Sequence, residues 1–276
     1  WARMPSWGLD AVAVGYVAAS VAQMLVLSLA VWGIGGRYRP ALNLRDPEVR
    51  RVGGLLGPSL LQGAVGQSGI VVERLLASFL PIGSISALGH ARQILRAVDN
   101  VLLGSVSTVL LPRFSSLAAR DNMPGLKRAV AFGTRLASFL AVPAVTLLVT
   151  LNVPIVRLAF QRGAFGARAT QVTAGIMALY VLSVLPEAVS RVVSGVFLAM
   201  RDALTPLYIC IFMLASNVVL DVVLIRVMGP YGLALSLLLA RCAGLVGNLL
   251  MVGRSLGTLG LGLKRWWMKL ALASGP

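Results

Sequence analysis

Charge is scarce in this chain. Of 276 residues only 12% are Asp, Glu, Lys or Arg, about half the share of an ordinary soluble domain, and that shortage excludes a water-covered globule. Acidic residues are scarcer still, 9 against 25 Lys and Arg. The net charge of +16 would point to nucleic acid if the cations shared a polar surface, but 58% hydrophobic residues leave little sequence to build one. Two cysteines, Cys210 and Cys242, both lie in apolar runs and read as small hydrophobes rather than a disulfide framework or metal site. His90 is the only histidine, so no zinc constellation and no Ser-His-Asp or Cys-His arrangement of recognisable spacing is available. Gly-rich phosphate loops of the Walker or Rossmann kind are missing too. The chain does not read as an enzyme, and its residues imply no cofactor.

Long apolar runs are what it has. A membrane-spanning helix needs about 20 mostly apolar residues, and seven stretches qualify: Ala11–Trp32, Gly54–Leu80, Ser84–Leu111, Ala129–Leu151, Thr170–Met200, Thr205–Val227 and Tyr231–Gly253. The short alternating segments of a transmembrane β-barrel are not seen. The expected class is all-α, a polytopic membrane helical bundle. The first run is too long for a signal peptide and lacks a small-residue cleavage site. With Trp1 at one end and the start of a further helix at the other, the chain reads as an internal piece of a larger protein.

The cations sort by loop. Arg37, Arg39, Arg45, Arg50 and Arg51 fall in one connection, Arg113, Arg120, Lys127 and Arg128 in another, and Arg201, Arg254, Lys264, Arg265 and Lys269 in further alternate ones. Those connections hold fourteen cations, whereas the opposite ones hold Arg157, Arg162, Arg168 and Arg226. The positive-inside rule places the richer side, including loops 34–52 and 112–128, in the cytoplasm. Cations spread over short loops fit topology better than a nucleic-acid patch, so no nucleic-acid partner is expected. Trp1, Trp7, Trp32 and Trp266-Trp267 stand near segment ends as interfacial aromatics do. Leu259–Leu272, with Lys264, Arg265 and Lys269 beside the Trp pair, suits an amphipathic helix on the cytoplasmic surface, against membrane lipids, within a linker 254–276 that ends in the start of the next helix. Gly53-Gly54, Gly63, Gly66 and Gly69 invite close helix approach, and Pro58, Pro143 and Pro186 interrupt apolar runs, as kinks or as breaks that line a cavity. This organisation gives four parts: helix 1–33, a basic loop 34–52, a six-helix body 53–253 and the segment 254–276.

Six arginines remain inside the runs, where each costs several kcal/mol unless it faces a cavity or a partner. Arg92, Arg96 and Asp99 follow i, i+4, i+7 and so share one helical stripe. Arg96 stands about 18 Å along its helix at 1.5 Å per residue, near mid-membrane. An arginine pair there suits phosphate oxygens, which the guanidinium fork binds two at a time; the competing reading is an Arg96–Asp99 ion pair. Glu187 and Arg191, at i, i+4 after Pro186, either neutralise one another or serve the same cavity. Asn217 and Asp221 share a face, and Glu73 precedes Arg74 at the end of the second run. Such oxygens suit a hard cation, or else Glu73 pairs with a nearby arginine and Asp221 with Arg226 or Arg241.

Several motifs in register then resemble the signature of the MurJ/MviN-type lipid II flippases, in the multidrug/oligosaccharidyl-lipid/polysaccharide exporter superfamily. They are Leu75-Leu76-Ala77-Ser78-Phe79-Leu80 with Gly83-Ser84-Ile85-Ser86-Ala87-Leu88, Thr108-Val109-Leu110-Leu111-Pro112, Phe160-Gln161-Arg162-Gly163-Ala164-Phe165, Ala199-Met200-Arg201-Asp202-Ala203-Leu204-Thr205-Pro206 and Gly229-Pro230-Tyr231-Gly232-Leu233-Ala234. The resemblance implies about seven of fourteen transmembrane helices, most of the C-terminal lobe, with the N-terminal lobe as its partner. It implies transport of lipid II, the undecaprenyl-pyrophosphate-linked peptidoglycan precursor, to the outer leaflet of the bacterial inner membrane by alternating access, for cell-wall synthesis and cell shape. The essential cavity arginine of such proteins falls at Gln93, a departure that either passes the role to Arg92 or Arg96 with the helix rotated, Arg74 and Asp99 being nearby, or changes how substrate is handled. Some members bind Na+, and the corresponding ligands here are Glu73, Asn217, Asp221 and, from the seventh run, Ser236. The alternatives are an exporter of another polyprenyl-pyrophosphate-linked glycan or of a drug, or a transport-inactive scaffold for cell-wall enzymes.

Overall fold

A computed structural model of the chain describes residues 8–33, 47–161 and 165–256, and all regular structure among them is helical. Trp1, Arg3, Trp7, Arg37, Arg39, Arg45, the motif residues Arg162, Gly163 and Ala164, and the surface segment with Lys264, Arg265, Trp266, Trp267 and Lys269 lie outside the described residues. The chain divides into two compact units, residues 1–51 and 52–276. The first holds α1 (Gly8–Gly33), apolar and exposed from Val14 onward, with Ser20 and Ser28 hydroxyls donating to the carbonyls of Tyr16 and Met24. Such back-bonding hides a hydroxyl from lipid.

The second unit carries the rest of α2 (Pro47–Ala77), then α3 (Ser84–Val98), a π-helical turn Asp99–Gly104, α4 (Ser105–Ala119), α5 (Met123–Thr150), α6 (Asn152–Phe160), α7 (Ala167–Leu182), α8 (Val184–Ala199), α9 (Leu204–Met228) and α10 (Pro230–Leu256). Six spans among the described residues are long and apolar enough to cross a membrane, α3–α4 and α7–α8 each counting as one. The second run of the sequence reading, in α2, is not among them, because Ser59, Gln62, Gln67, Ser68, Glu73 and Arg74 dilute it.

Helices outlast the apolar runs. The expected loop 34–52 is helical from Pro47, and the expected loop 112–128 shrinks to residues 120–122. Asn122 accounts for the short second loop: its side chain accepts the Gly125 amide at 2.9 Å, and Pro124 stands in the first turn, so α5 begins before its apolar stretch does. Pro58, Pro112 and Pro143 lie inside unbroken helices, and Pro186 occupies the first turn of α8, where its missing N–H costs nothing.

The core joins α3, α4, α5, α7, α8 and α10 around Tyr180, Phe114, Phe197, Ile176 and Val193, all essentially unexposed. Some polar groups in it pair across helices, as where Asn248 on α10 donates to Ser190 at 2.7 Å and accepts from Ser194 at 2.9 Å, both on α8. Of the described glycines expected to permit close approach, Gly63 and Gly66 meet nothing within 4 Å of where a Cβ would stand, whereas Gly69 has Leu214 at 3.4 Å and Asn217 Oδ1 at 4.0 Å.

Asp202, in the turn between α8 and α9, ties the start of α9 by accepting the amides of Leu204 and Thr205, both at 3.1 Å, and the Thr205 hydroxyl at 2.6 Å. Partial burial works to raise its pKa, but these hydrogen bonds outweigh it and hold the carboxyl below its ordinary value. A depressed native pKa stabilises fully above the unfolded value and is lost as pH falls through the native one. Asp202→Ala is therefore expected to cost about 1 kcal/mol at pH 7 in thermal unfolding, and the gap to wild type should close as pH falls below the usual carboxylate range.

Candidate functional site: a basic cleft and two buried polar networks

The α2–α3 hairpin carries the cleft. Arg92, on α3, meets Glu73, on α2, through both ends of the carboxylate: Nε donates to Oε1 at 3.1 Å and Nη2 pairs with Oε2. Their side chains are 16% and 7% exposed, so the pair is nearly sealed. The Arg92 guanidinium also lies 5.3 Å from the ring centroid of Tyr180, which is fully buried, a cation–π distance. Arg74, Gln93 and Arg96 are exposed on the open side, and with Glu73, Arg92 and Leu88 they line a cleft of about 270 Å³. Arg96 has no ion pair among the described residues. Three guanidiniums thus stand around one small space, only one of them neutralised.

The second network joins α9 to α10. Asn217 Nδ2 donates to Ser236 Oγ at 3.3 Å, and Ser236 in turn meets Asp221 Oδ1; all three are buried. Asp221 Oδ2 has no partner, and neither has the hydroxyl of Tyr180. The structure brings Asn217, Asp221 and Ser236 together as the resemblance implied, while Glu73 spends its oxygens on Arg92. Asp221 pairs with neither Arg226 nor Arg241. As donors for a hard cation, one orphaned carboxylate oxygen, an amide oxygen and a hydroxyl fit. No group of three or more His, Cys, Asp or Glu suited to a metal exists among the described residues.

Arg241, on α10, centres the third network, which residue patterns did not single out. Its Nη2 binds Asp99 Oδ2 at 2.8 Å, Nη1 donates to the Ser183 hydroxyl at 3.1 Å, and Nε lies 3.7 Å from Glu187 Oε2. Asp99 is therefore drawn away from Arg92 and Arg96 and is not the neutralising partner of Arg96. Its own backbone stays α-helical, with its N–H on the Leu95 carbonyl, and the π turn that begins there changes the helical period only for the residues after it. Glu187 also pairs with Arg191 at 3.3 Å, as their spacing suggests. The available signal for Arg241 was an arginine deep in an apolar run, opposite acids in two others.

At the other end of the unit a second cavity, about 370 Å³, lies between α2, α4, α8 and α9, with Gln62, Phe114, Arg191 and Asp202 among its lining.

A helical bundle of membrane-crossing length, with buried ion pairs between helices and an arginine-lined cleft, defines a polytopic helical membrane protein. The family model described as lipid II flippase MurJ matches residues 3–275. The chain belongs to the lipid II flippase MurJ family. A probable lipid II flippase MurJ of Bdellovibrio bacteriovorus is 30% identical over 244 residues, 88% of this chain and 46% of that protein. The chain spans about half the length of the curated relatives it matches. Among solved structures, the inward closed conformation of a lipid II flippase MurJ aligns with TM-score 0.70 and 23% identity, covering 98% of this chain and 57% of that one. A point mutant of the Vibrio cholerae MATE transporter VcmN aligns with TM-score 0.73 and 15% identity, covering 92% of this chain and 57% of that one. At these identities the likeness is one of fold.

Proposed function

We propose that the protein carrying this chain moves lipid II from the cytoplasmic to the outer leaflet of the bacterial inner membrane by alternating access, supplying cell-wall peptidoglycan synthesis. The observation that carries the reading is the cleft: Arg74, Arg92 and Arg96 face one space and only Arg92 has an acidic partner among the described residues, an excess of positive charge that suits an anion. The pyrophosphate is the anion of that substrate, and guanidinium forks bind its oxygens two at a time. Gln93 supplies a neutral amide between Arg92 and Arg96, so the charge of the cleft rests on its neighbours. Transport, not bond-making, is the task assigned to these residues. In this orientation the helix ends bearing Arg113, Lys127 and Arg128 lie in the cytoplasm. Asn217, Asp221 and Ser236, with Glu73 one helix away, hold Na+, whose differential binding biases the two access states.

The test uses the full-length protein and a lipid II accessibility assay. Arg92→Ala and Arg96→Ala are each expected to lower flipping at least about tenfold, the loss of a hydrogen bond to a charged group, at normal expression. Wild-type rates in both variants overturn the assignment. Unchanged transport of a different polyprenyl-pyrophosphate glycan with no lipid II turnover would move the substrate, not the cleft.

A further inference from the structure

Arg92 has two roles open to it that exclude one another. It lines the cleft beside Arg74 and Arg96, yet the Nε–Nη2 edge of its guanidinium is engaged with Glu73. Glu73 stands on α2, the helix that runs beside α9 and its buried acceptors Asn217 and Asp221. A Cβ on Gly69 would stand 4.0 Å from Asn217 Oδ1, and one on Gly229 would stand 3.9 Å from Leu80, so α2 and α9 run side by side in the same direction. One turn beyond Gly69 and Asn217 come Glu73 and Asp221. Arg92 is within electrostatic range of Asp221 as well, with the buried ring of Tyr180 beneath it.

The charges here do not balance. Glu73 and Asp221 contribute two negative charges, Arg92 one positive, and no other cation pairs with either acid among the described residues. The shortfall is concentrated at Asp221 Oδ2, buried and without a partner. An ion in low dielectric demands compensation, and two sources compete to give it: the tethered guanidinium, or a small cation from solution.

We propose that Arg92 is a tethered counter-cation: its guanidinium and a free monovalent cation exclude one another at Glu73, so a cation settling between Glu73 and Asp221 releases Arg92 into the cleft to meet an anionic phosphate. The reverse holds equally. A phosphate that draws Arg92 off Glu73 leaves two bare carboxylates and tightens cation binding by the same factor, since coupling between two sites is reciprocal. The inference rests on the transport reading above for its purpose, and on the Glu73–Arg92–Asp221 geometry for its chemistry. It also gives Gln93 a rationale: a cleft whose arginine is loaned to an acid is neutral at rest on that side.

Full-length protein in detergent, titrated with Na+ and with inorganic pyrophosphate, tests it. In wild type, saturating Na+ is expected to tighten pyrophosphate about tenfold, within the usual range of coupling, and pyrophosphate to tighten Na+ equally. Glu73→Gln frees Arg92 for good, so pyrophosphate should bind tightly with no response to Na+. Arg92→Gln should bind Na+ about tenfold tighter than wild type, and the double variant with Glu73→Gln should lose that gain. Arg96→Gln should weaken pyrophosphate and leave its Na+ response intact. Pyrophosphate affinity indifferent to Na+ in wild type, or Na+ affinity unraised in a folded Arg92→Gln protein, overturns the exchange. A protein that shows the coupling but flips no lipid II keeps the exchange and loses the transport reading; one that flips without coupling does the opposite.

Discussion

Arg241→Met is expected to destabilise the bundle by about 3–5 kcal/mol, the usual cost of removing one partner from a buried ion pair. At 2–4 °C per kcal/mol that is a midpoint lowered by roughly 6–20 °C in thermal unfolding of the full-length protein in detergent. The loss should be divided unevenly. Glu187 retains Arg191 at 3.3 Å, whereas Asp99 is left with nothing, its other oxygen already lacking a partner. Adding Asp99→Asn to the Arg241→Met background should therefore recover more stability than adding Glu187→Gln. Equal recovery, or a midpoint within 2 °C of wild type (a shift of under about 1 kcal/mol), would contradict the view that this arginine clamps the π turn and the start of α8 to α10.

The second large effect is expected at Gly232. A Cβ there would stand 2.3 Å from the carbonyl oxygen of Leu224 and 2.6 Å from its carbon. Both atoms are backbone, so no rotamer change relieves the clash and α10 must move away from α9. Gly229 turns the hairpin at φ +56, ψ −129, a conformation closed to other residues. Gly232→Ala should thus exceed the ordinary overpacking cost of about 1–3 kcal/mol, and because Ser236 stands one turn further along α10 it should also part Ser236 from Asp221. Reduced yield of folded protein together with weakened Na+ binding is the expected result. Gly63→Ala, where nothing lies within 4 Å, serves as the control and should be neutral or slightly stabilising. A Gly232→Ala protein that matches it in both measurements refutes the argument.

The spans were legible because lipid imposes a length and composition on any helix that crosses it. Their ends were not, since Asn122 and Pro124 extend α5 in polar sequence that hydropathy reads as loop. In the site, Asn217 and Asp221 could be placed together from their i, i+4 spacing alone, for that is a property of one helix. Glu73–Arg92 spans a hairpin, with the partners 19 positions apart, and Arg241–Asp99 joins positions 142 apart; no periodicity reports which of several buried acids an arginine will choose. Asp99 shows the limit most plainly. Its α-helical spacing does put it on the stripe of Arg92 and Arg96, yet its carboxylate binds Arg241 on another helix, and the π turn that begins at Asp99 resets the period only for the residues after it.

That turn makes the long third span two half-helices set at an angular offset about their common axis. The half before it faces the acid on α2; the half after it seats Leu110 and Phe114 in the core. Removing one residue between Val98 and Ser105 would turn one half by about 100° relative to the other, and no single setting would then satisfy both. The reading frame of this helix is in effect keyed in two places, and the wide turn is the spacer that lets both keys fit.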